Sequence, residues 1–287
     1  MKRGILVVFS MLLFISNSLI AKGNELTYKV HRAGEDGFNL ASVLVLGKKE
    51  AVLIDAHFTK ADAHKVVAQV LKSKRELKKI YVSHGDPDYY FGLEVITKAF
   101  PKAKIYATKQ TVAHIKKTYQ EKLNYWGPKL KNNAPSYVLI PSVLEKDYIE
   151  LEGKKLNIMN FNSTRSYVYV PSIKAIFGGI NITDKEHLWM ADTSTKKERE
   201  EWLKVLKDMK KLEIKTVIPA HSKEGSKNDI SAIEFSIKYL ETYEKAVSKA
   251  KSSKELISIM QHIYPKLDKD SFSLKLGAQV VKGEVKW

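Results

Sequence analysis

The feature that most constrains this chain of 287 residues is a short apolar strand, 79–83, that leads into a polar loop. His84, Asp86 and Asp88 follow the strand at alternate positions, and Tyr89 comes next. Side chains two residues apart on an extended loop point to the same side. A loop at the end of a buried strand also holds its side chains rigidly near the sheet edge. We therefore expect this motif loop (residues 84–89) to bind a metal ion or carry out catalysis.

Strand and helix patterns alternate around the motif loop. Before it, the sequence predicts strands at 26–32, 38–46 and 51–55 and an amphipathic helix at 60–72. After it, the sequence predicts a helix to about residue 100, a strand at 104–107, a helix at 110–119 and a polar loop with three prolines at 126–141. This order of elements is typical of an α/β layer.

The second half of the chain is richer in short strands and ends in helices. Strands are predicted at 148–151, 155–161, 166–170, 174–177 and 214–218, and His221 comes just after the last of them. Thr195 and Glu198 have the spacing of a capping box, which predicts a helix to about residue 212. Further capping residues predict helices at 229–250 and 252–262, and 271–287 is predicted to be an edge segment.

The first residues have the order of a secretory signal peptide. Lys2 and Arg3 precede an apolar run at 4–15, and a stretch of mostly small residues ends at Ala21. That run is shorter than the ~20 residues of a membrane-spanning helix, which is the alternative interpretation. We predict cleavage near Lys22 and a periplasmic or secreted protein. The predicted segments are a signal peptide at 1–21, a main domain at 22–225 and a helical cover of that domain at 226–287.

Composition narrows both the chemistry and the partners. The chain has no cysteine and eight histidines, so a metal ion would be bound by His, Asp or Glu, and a thiol nucleophile is excluded. The net charge of +17 is spread over short lysine clusters, which favours a solvated surface with weak attraction to anionic envelope surfaces. An exported protein rarely meets intracellular nucleic acid, so no nucleic-acid partner is expected. The sequence does not predict the oligomeric state.

The motif loop resembles the His-x-His-x-Asp-His signature of the metallo-β-lactamase superfamily. Other landmarks follow in the same order: Ile54-Asp55 at a strand end, Tyr167-Val168-Tyr169-Val170 before Pro171, Gly178-Gly179, and Pro219-Ala220-His221. The resemblance runs from about Phe38 to His221. It implies the metallo-β-lactamase fold, an α+β protein built as a four-layer αββα sandwich, with metal ions bound at one edge by loops from both halves.

The ligand set that this resemblance implies is only partly present. The superfamily usually binds two zinc ions through about seven positions. His84, Asp88 and His221 match the pattern, and Asp86 stands where a histidine is usual. If an Asp86 oxygen replaces that nitrogen, the four residues can hold one divalent ion. Zinc is the first expectation, with iron or manganese as alternatives because oxygen-rich ligation favours them.

Other ligand positions have lost their usual residues. Tyr89 replaces the last histidine of the signature, a histidine is missing at 162–164, and Ile180 falls where an aspartate normally bridges two metal ions. Two complete zinc sites are therefore not expected. Downstream, His187 and Asp192 belong to a His-x-Trp-x-Ala-Asp run and could be replacement ligands or substrate-binding groups. The alternative is an ordinary loop histidine and an acid at a helix N-terminus.

The sequence favours two functions. The first is a metal-dependent hydrolase of a small-molecule ester, lactone, amide or phosphoester. In it the ion would activate water, Asp88 would be the catalytic acid or base, and Tyr89 or His187 would assist the leaving group. The alternative is a catalytically degenerate protein that binds a ligand in the same cleft, which the lost metal ligands favour. Asp55 is expected to support the motif loop by hydrogen bonds, and His114 to be an ordinary helix histidine.

Overall fold

A computed structural model describes residues 25–287, and the predicted signal peptide therefore lies outside the described residues. The first sheet has six strands in chain order: β1 (Thr27–Arg32), β2 (Ala41–Leu46), β3 (Glu50–Ile54), β4 (Glu76–Tyr81), β5 (Lys104–Ala107) and β6 (Ser142–Val143). Strands β1 to β3 are antiparallel, and β3 to β6 are parallel. The motif loop follows β4, in the middle of this sheet.

The second sheet has five strands and comes from the following part of the chain. Its strands are β7 (Tyr148–Leu151), β8 (Lys154–Met159), β9 (Tyr167–Val170), β10 (Ala175–Phe177) and β12 (Thr216–Val217), and their spatial order is β12-β10-β9-β8-β7. Two short strands, β11 (Thr183–Asp184) and β13 (His221–Ser222), pair in parallel beside it. This small pair places His221 at the edge of the sandwich.

The helices cover the outer faces of the two sheets. Four helices lie between strands of the first sheet along the chain: α1 (Lys60–Ser73), α2 (Pro87–Tyr90), α3 (Leu93–Ala99) and α4 (Lys109–Leu130). The second half adds α5 (Lys196–Met209), α6 (Ser231–Lys249), α7 (Ser253–Ile263) and α8 (Phe272–Val281). Of the helices within 25–287, none is both long and apolar enough to cross a membrane.

Strand alternation produces the four layers, since successive side chains of a strand point to opposite faces. In the first sheet, Leu53 and Ile80 pack against α1, α3 and α4. Their neighbours Val52 and Tyr81 instead pack against the second sheet, together with residues such as Phe177. Each fully buried apolar side chain of this kind contributes about 1.5–3 kcal/mol. The result is the predicted αββα sandwich.

The predicted polar loop at 126–141 is wrong at its start, because α4 continues to Leu130. The ring of Trp126 lies 5.4 Å from that of Phe38 and 5.3 Å from that of Phe58. These contacts help to offset the cost of Pro128 inside the last turn, which is about 3 kcal/mol for a proline in a helix interior. The longer helix carries Trp126 to the edge of the sheet where the motif loop lies.

The predicted edge segment at 271–287 is also wrong, because it contains α8. Ser271 caps this helix by accepting a hydrogen bond from the backbone of Leu274. Leu274 and Ala278 are buried against the second helical layer. Gly277 interrupts the helical pattern of apolar residues in the sequence. It also permits the close approach of α8 to Met190, since a Cβ atom at Gly277 would lie 2.8 Å from Cβ of Met190. By contrast, the capping box of Thr195 and Glu198 is confirmed.

Candidate functional site

A cavity of about 360 Å³ opens where the motif loop meets the second half of the chain. The residues around it include Asp86, Asp88, Trp126, Ile180, His187 and His221. Most of the candidate site residues from the sequence therefore face this cavity. Its aromatic wall comes partly from α4 and from the start of α8, the two regions where the structure differs from the sequence-based prediction.

Hydrogen bonds beneath the cavity hold the start of the motif loop. Asp55 accepts one from the backbone N–H of Ser83 at 2.7 Å and one from its hydroxyl at 2.6 Å. The hydroxyl of Ser83 in turn accepts a hydrogen bond from the backbone of Gly179 at 2.7 Å. Gly179 has a φ of 71°, and a Cβ atom there would lie 2.1 Å from the backbone oxygen of Ser166. The expected supporting role of Asp55 is confirmed, and it links both sheets.

Three residues bring metal-binding atoms together, and we call them the donor group: His84, Asp86 and Asp192. One nitrogen and two carboxylate oxygens lie within 4.8 Å of one another. Burial lowers the pKa of His84 to about 3, so its ring is neutral and able to bind a cation. Asp192 closes the group from the second half of the chain, and its Oδ2 accepts a hydrogen bond from Nε1 of Trp189 at 2.9 Å.

Asp88, Tyr89 and His221 form a separate cluster, which we call the tyrosine group. Nδ1 of His221 lies 2.7 Å from the backbone oxygen of Phe38. Because a carbonyl oxygen only accepts hydrogen bonds, Nδ1 carries the proton and Nε2 has the lone pair. The hydroxyl of Tyr89 lies 3.0 Å from Nε2 and therefore donates to it. Oδ2 of Asp88 is 3.6 Å from the same nitrogen.

The structure thus divides the four predicted metal ligands between two groups. His84 and Asp86 lie in the donor group, whereas Asp88 and His221 lie in the tyrosine group. The donor group fits one divalent ion in its chemistry and in the closeness of its atoms. The tyrosine group does not fit a second ion in this arrangement, because the Tyr89 hydroxyl already uses the lone pair of His221. Sharing of one ion by all four predicted ligands stays a prediction.

A lysine that the sequence did not single out contacts the motif loop. Nζ of Lys122 donates hydrogen bonds to Oδ1 of Asp86 at 2.9 Å, to the backbone oxygen of Gly85 at 2.9 Å and to Nε2 of His114 at 3.0 Å. Burial alone would raise the pKa of Asp86, but the Lys122 charge lowers it overall. His114 is therefore a helix histidine satisfied by a hydrogen bond, as expected, and it also lies beside the site.

A second missed cation, Arg165, lies beside the segment where the sequence lacks a histidine. It is 7% exposed, and its guanidinium carbon lies 3.9 Å from the centre of the Trp202 ring. Its Nη1 is buried without a hydrogen-bond partner. Burial lowers the pKa of Arg165 to about 10, while the charge of Asp192 acts to raise it. A positive charge therefore stands close to the donor group from the second half of the chain.

The remaining predicted site residues differ in their surroundings. Burial raises the pKa of Asp88 well above its ordinary value, and the charge of Asp86 raises it further. His187 is 4% exposed, its Nδ1 lies 2.7 Å from the hydroxyl of Tyr239, and its Nε2 has no hydrogen-bond partner. Burial lowers the pKa of His187 to about 4, so this ring is neutral at the cavity wall. Its role in substrate binding stays a prediction.

Comparison with known proteins defines the class. Residues 36–165 match the family model described as the metallo-beta-lactamase superfamily. A metallo-beta-lactamase family protein from Thermus thermophilus has a similar structure, with a TM-score of 0.62 at 14% identity over 91% of this chain and 93% of that one. The metallo-beta-lactamase from Pontibacter korlensis gives a TM-score of 0.49 at 16% identity over 76% and 95% of the two chains. No curated protein matches the sequence.

The chain therefore has the metallo-β-lactamase fold, which confirms the fold predicted from the sequence. Over residues 36–165 the chain is similar to the metallo-β-lactamase superfamily. This similarity supports a metal-dependent, hydrolase-like fold. Superfamily members usually bind divalent metal ions, and the donor group is a possible ligand set for one.

Proposed function

We propose that this protein is a hydrolase that uses one divalent ion bound by His84, Asp86 and Asp192. The observation that carries the proposal is the approach of their donor atoms to within 4.8 Å beside the cavity. When bound, such an ion polarises a carbonyl or phosphoryl oxygen and lowers the pKa of water. Zinc is the first candidate, and iron or manganese are alternatives because two of the three donors are oxygens.

The tyrosine group supplies the acid and base functions in this proposal. Asp88 faces the cavity, and its raised pKa allows it to hold a proton and transfer it at the reacting group. Tyr89 and His221 keep each other in place through their hydrogen bond, and Phe38 fixes the tautomer of His221. His187 is on the cavity wall with a free Nε2, where it can bind a polar substrate atom.

The proposed substrate is a small molecule with an ester, lactone, amide or phosphoester bond. The cavity of about 360 Å³ has the size of a small-molecule site. Trp126, Trp189 and Phe272 border it and offer an apolar surface for the part of the substrate that does not react. No residue of the cavity selects among the four bond types, so a screen must include all of them.

We also propose export to the periplasm or the medium, supported by Lys2, Arg3 and the apolar run that follows. Mass spectrometry of the protein from its native host should find a start near Lys22. An intact Met1 in the membrane fraction would contradict this proposal. Weak binding to anionic envelope surfaces, supported by the net charge of +17, should then decrease as salt is added.

The test of the hydrolase proposal combines metal analysis with a substrate screen. Gently purified protein should contain about one divalent ion per chain and turn over a member of one bond class. Asp192→Asn should reduce metal affinity by at least about 10-fold and reduce turnover with it. Asp208→Asn, on α5 with a side chain that is 46% exposed, is the matched control and should change neither. Two tightly bound ions, or unchanged metal affinity in Asp192→Asn, would overturn the proposed site.

A second candidate function is a binding protein without catalysis. The hydrogen bonds of Tyr89 to His221 and of Lys122 to Asp86 favour it, because both satisfy potential ligands in the absence of an ion. In that case the purified protein would contain no divalent ion and would be inactive in all four substrate classes. The same metal analysis and screen therefore distinguish the two candidates.

A further inference from the structure

The ammonium group of Lys122 is held in a fixed position beside the donor group. Its three hydrogen-bond partners, Asp86, Gly85 and His114, lie at 2.9 to 3.0 Å, and its side chain is only 16% exposed. Lys122 and His114 are both on α4, on the face that covers the motif loop. Gly85 allows this contact, since a Cβ atom there would lie 2.5 Å from Cδ2 of His114.

Among residues 25–287, Lys122 has one acidic partner within ion-pair distance, and that partner is a member of the donor group. Its Nζ lies 2.9 Å from Oδ1 of Asp86, whose other oxygen lies 3.5 Å from Nδ1 of His84. A divalent ion on Asp86 would therefore be a near neighbour of the ammonium group. Two positive charges at such a distance repel each other strongly where little water separates them.

With both carboxylates ionised, the charges around the donor group balance without any ion. Asp86 and Asp192 are the two carboxylates, and Lys122 and Arg165 are the two cations that act on them. Adding a divalent ion to this set gives a net charge of about +2, whereas the same donors without the two cations would be neutral with the ion bound. Lys122 is the better placed of the two cations, because it contacts Asp86 directly.

We propose that Lys122 is an internal counter-cation that lowers the metal affinity of this site and keeps the bound ion exchangeable. This inference rests on the proposed ion site of His84, Asp86 and Asp192. The lysine satisfies Asp86 when the ion is absent and repels the ion when it is present. It therefore specifies how strongly the site binds metal, and it acts on the ion without being a ligand or a catalytic residue.

The test compares metal binding of metal-free full-length protein in three variants with the wild type. Lys122→Met keeps the length of the side chain and removes the charge, and it should bind Zn²⁺ at least about 10-fold more tightly in calorimetry. Lys122→Arg keeps the charge and should remain within about threefold of the wild type. Lys211→Met removes the charge of an exposed lysine in the turn that follows α5 and should have no effect.

Thermal unfolding provides a second readout that does not depend on activity. Lys122→Met should unfold at a lower temperature than the wild type when metal-free, because Asp86 loses its partner. It should gain more stability than the wild type when Zn²⁺ is added, because tighter binding to the folded state raises the unfolding temperature further. If Lys122 only fills space, Lys122→Met should lower the unfolding temperature equally with and without Zn²⁺. The gain in stability on adding Zn²⁺ would then equal that of the wild type. If Lys122→Met does not fold, Lys122→Gln takes its place in both measurements.

The outcomes separate this inference from the proposed function. One ion in the wild type and tighter binding in Lys122→Met would support both. No ion in the wild type but one in Lys122→Met would support the role of Lys122 and overturn the metal-dependent hydrolase. Unchanged or weaker binding in Lys122→Met would overturn the role of Lys122, and an ion in the wild type would still leave the hydrolase proposal in place. No binding in either protein would overturn both.

Discussion

The donor group and the tyrosine group both take residues from the motif loop, but each pairs them with a different kind of side chain from the second half of the chain. His84 and Asp86 meet a carboxylate from the second half of the chain, Asp192. Asp88 and Tyr89, only two or three residues further on, meet an imidazole from that half, His221. The first arrangement brings one nitrogen and two carboxylate oxygens to within 4.8 Å of one another, whereas the second joins a hydrogen-bond donor to an acceptor. The first is therefore the better candidate for a cation, which would compete there with the hydrogen bonds that Asp86 and His84 already accept.

The difference depends on Tyr89, whose side chain occupies the metal-binding nitrogen of His221 and still packs in the core. The ring of Tyr89 packs 5.2 Å from the ring of His84 and 5.8 Å from the ring of His221. It is buried in the apolar core of the first layer. Its hydroxyl group still reaches the nitrogen of His221 that would otherwise be available to a metal ion. Where the resemblance implies a metal ligand, this chain therefore has a structural hydrogen bond.

The largest expected effect comes from removing a member of the donor group. His84→Ala should lose the bound ion and reduce turnover at least about 100-fold, because it removes the one nitrogen of the proposed ligand set. Metal analysis and the kinetics of the best substrate measure these effects. His262→Ala, at an exposed position of α7, is the matched control and should resemble the wild type. Full metal content in His84→Ala would show that the donor group is wrongly assigned.

A change in the tyrosine group should affect turnover and leave the ion in place. Asp88→Asn keeps the shape of the side chain and removes the transferable proton, so turnover should fall about 100-fold. His221→Ala should behave in the same way, because it leaves Tyr89 and Asp88 without their shared partner. Metal content should stay at about one ion per chain in both variants. Loss of the ion from either would favour the four-ligand set predicted from the sequence.

A third prediction converts the tyrosine group into a metal site. Tyr89→His replaces the phenol by an imidazole and releases Nε2 of His221, so two histidines and Asp88 could then hold an ion. Calorimetry should detect a second Zn²⁺ site, with the first still present. Tyr89→Phe removes the same hydroxyl group but supplies no ligand, and its stoichiometry should remain at one. A single site in Tyr89→His would mean that the hydroxyl group is not what excludes the second ion.

The strands and most helices were predictable because they follow from local patterns, whereas their arrangement in four layers was implied by the family resemblance. Alternating apolar residues in the strands, such as Val52 and Leu53, define the two faces of a sheet regardless of what covers them. The capping box of Thr195 and Glu198 likewise needs only four consecutive residues. The end of α4 at Leu130 was missed because the contacts of Trp126 with distant aromatic rings are absent from the local sequence.

The site was only partly predictable for a similar reason. The motif loop predicted His84 and Asp86, whose spacing alone places them on one side of a loop. Asp192 was recognised as a possible replacement ligand, but its partners depend on how the two halves of the sandwich meet. Lys122 had no signal beyond its helical spacing from His114, which becomes informative only when α4 is known to cover the motif loop.

The smallest expected effect concerns Asp55, which lies beneath both groups through its hydrogen bonds with Ser83. Burial raises the pKa of Asp55 from 3.8 to about 8, in spite of those hydrogen bonds. Between about pH 4 and pH 8 the folded state therefore holds a proton that the unfolded state has released, and the free energy of unfolding should fall as the pH rises. The slope from this group is at most about 1.4 kcal/mol per pH unit, and it should vanish above the folded pKa.

Asp55→Asn isolates that contribution, because an amide has a similar shape and stays neutral. Urea unfolding at several pH values from about 5 to 8 should show a shallower decline in the variant than in the wild type. Metal content should remain at about one ion per chain, since the change lies outside both groups. Equal slopes in the two proteins would mean that Asp55 is ionised in the folded state. The negative charge under the motif loop would then favour a cation at the donor group, and the contrast between the two groups would rest partly on Asp55.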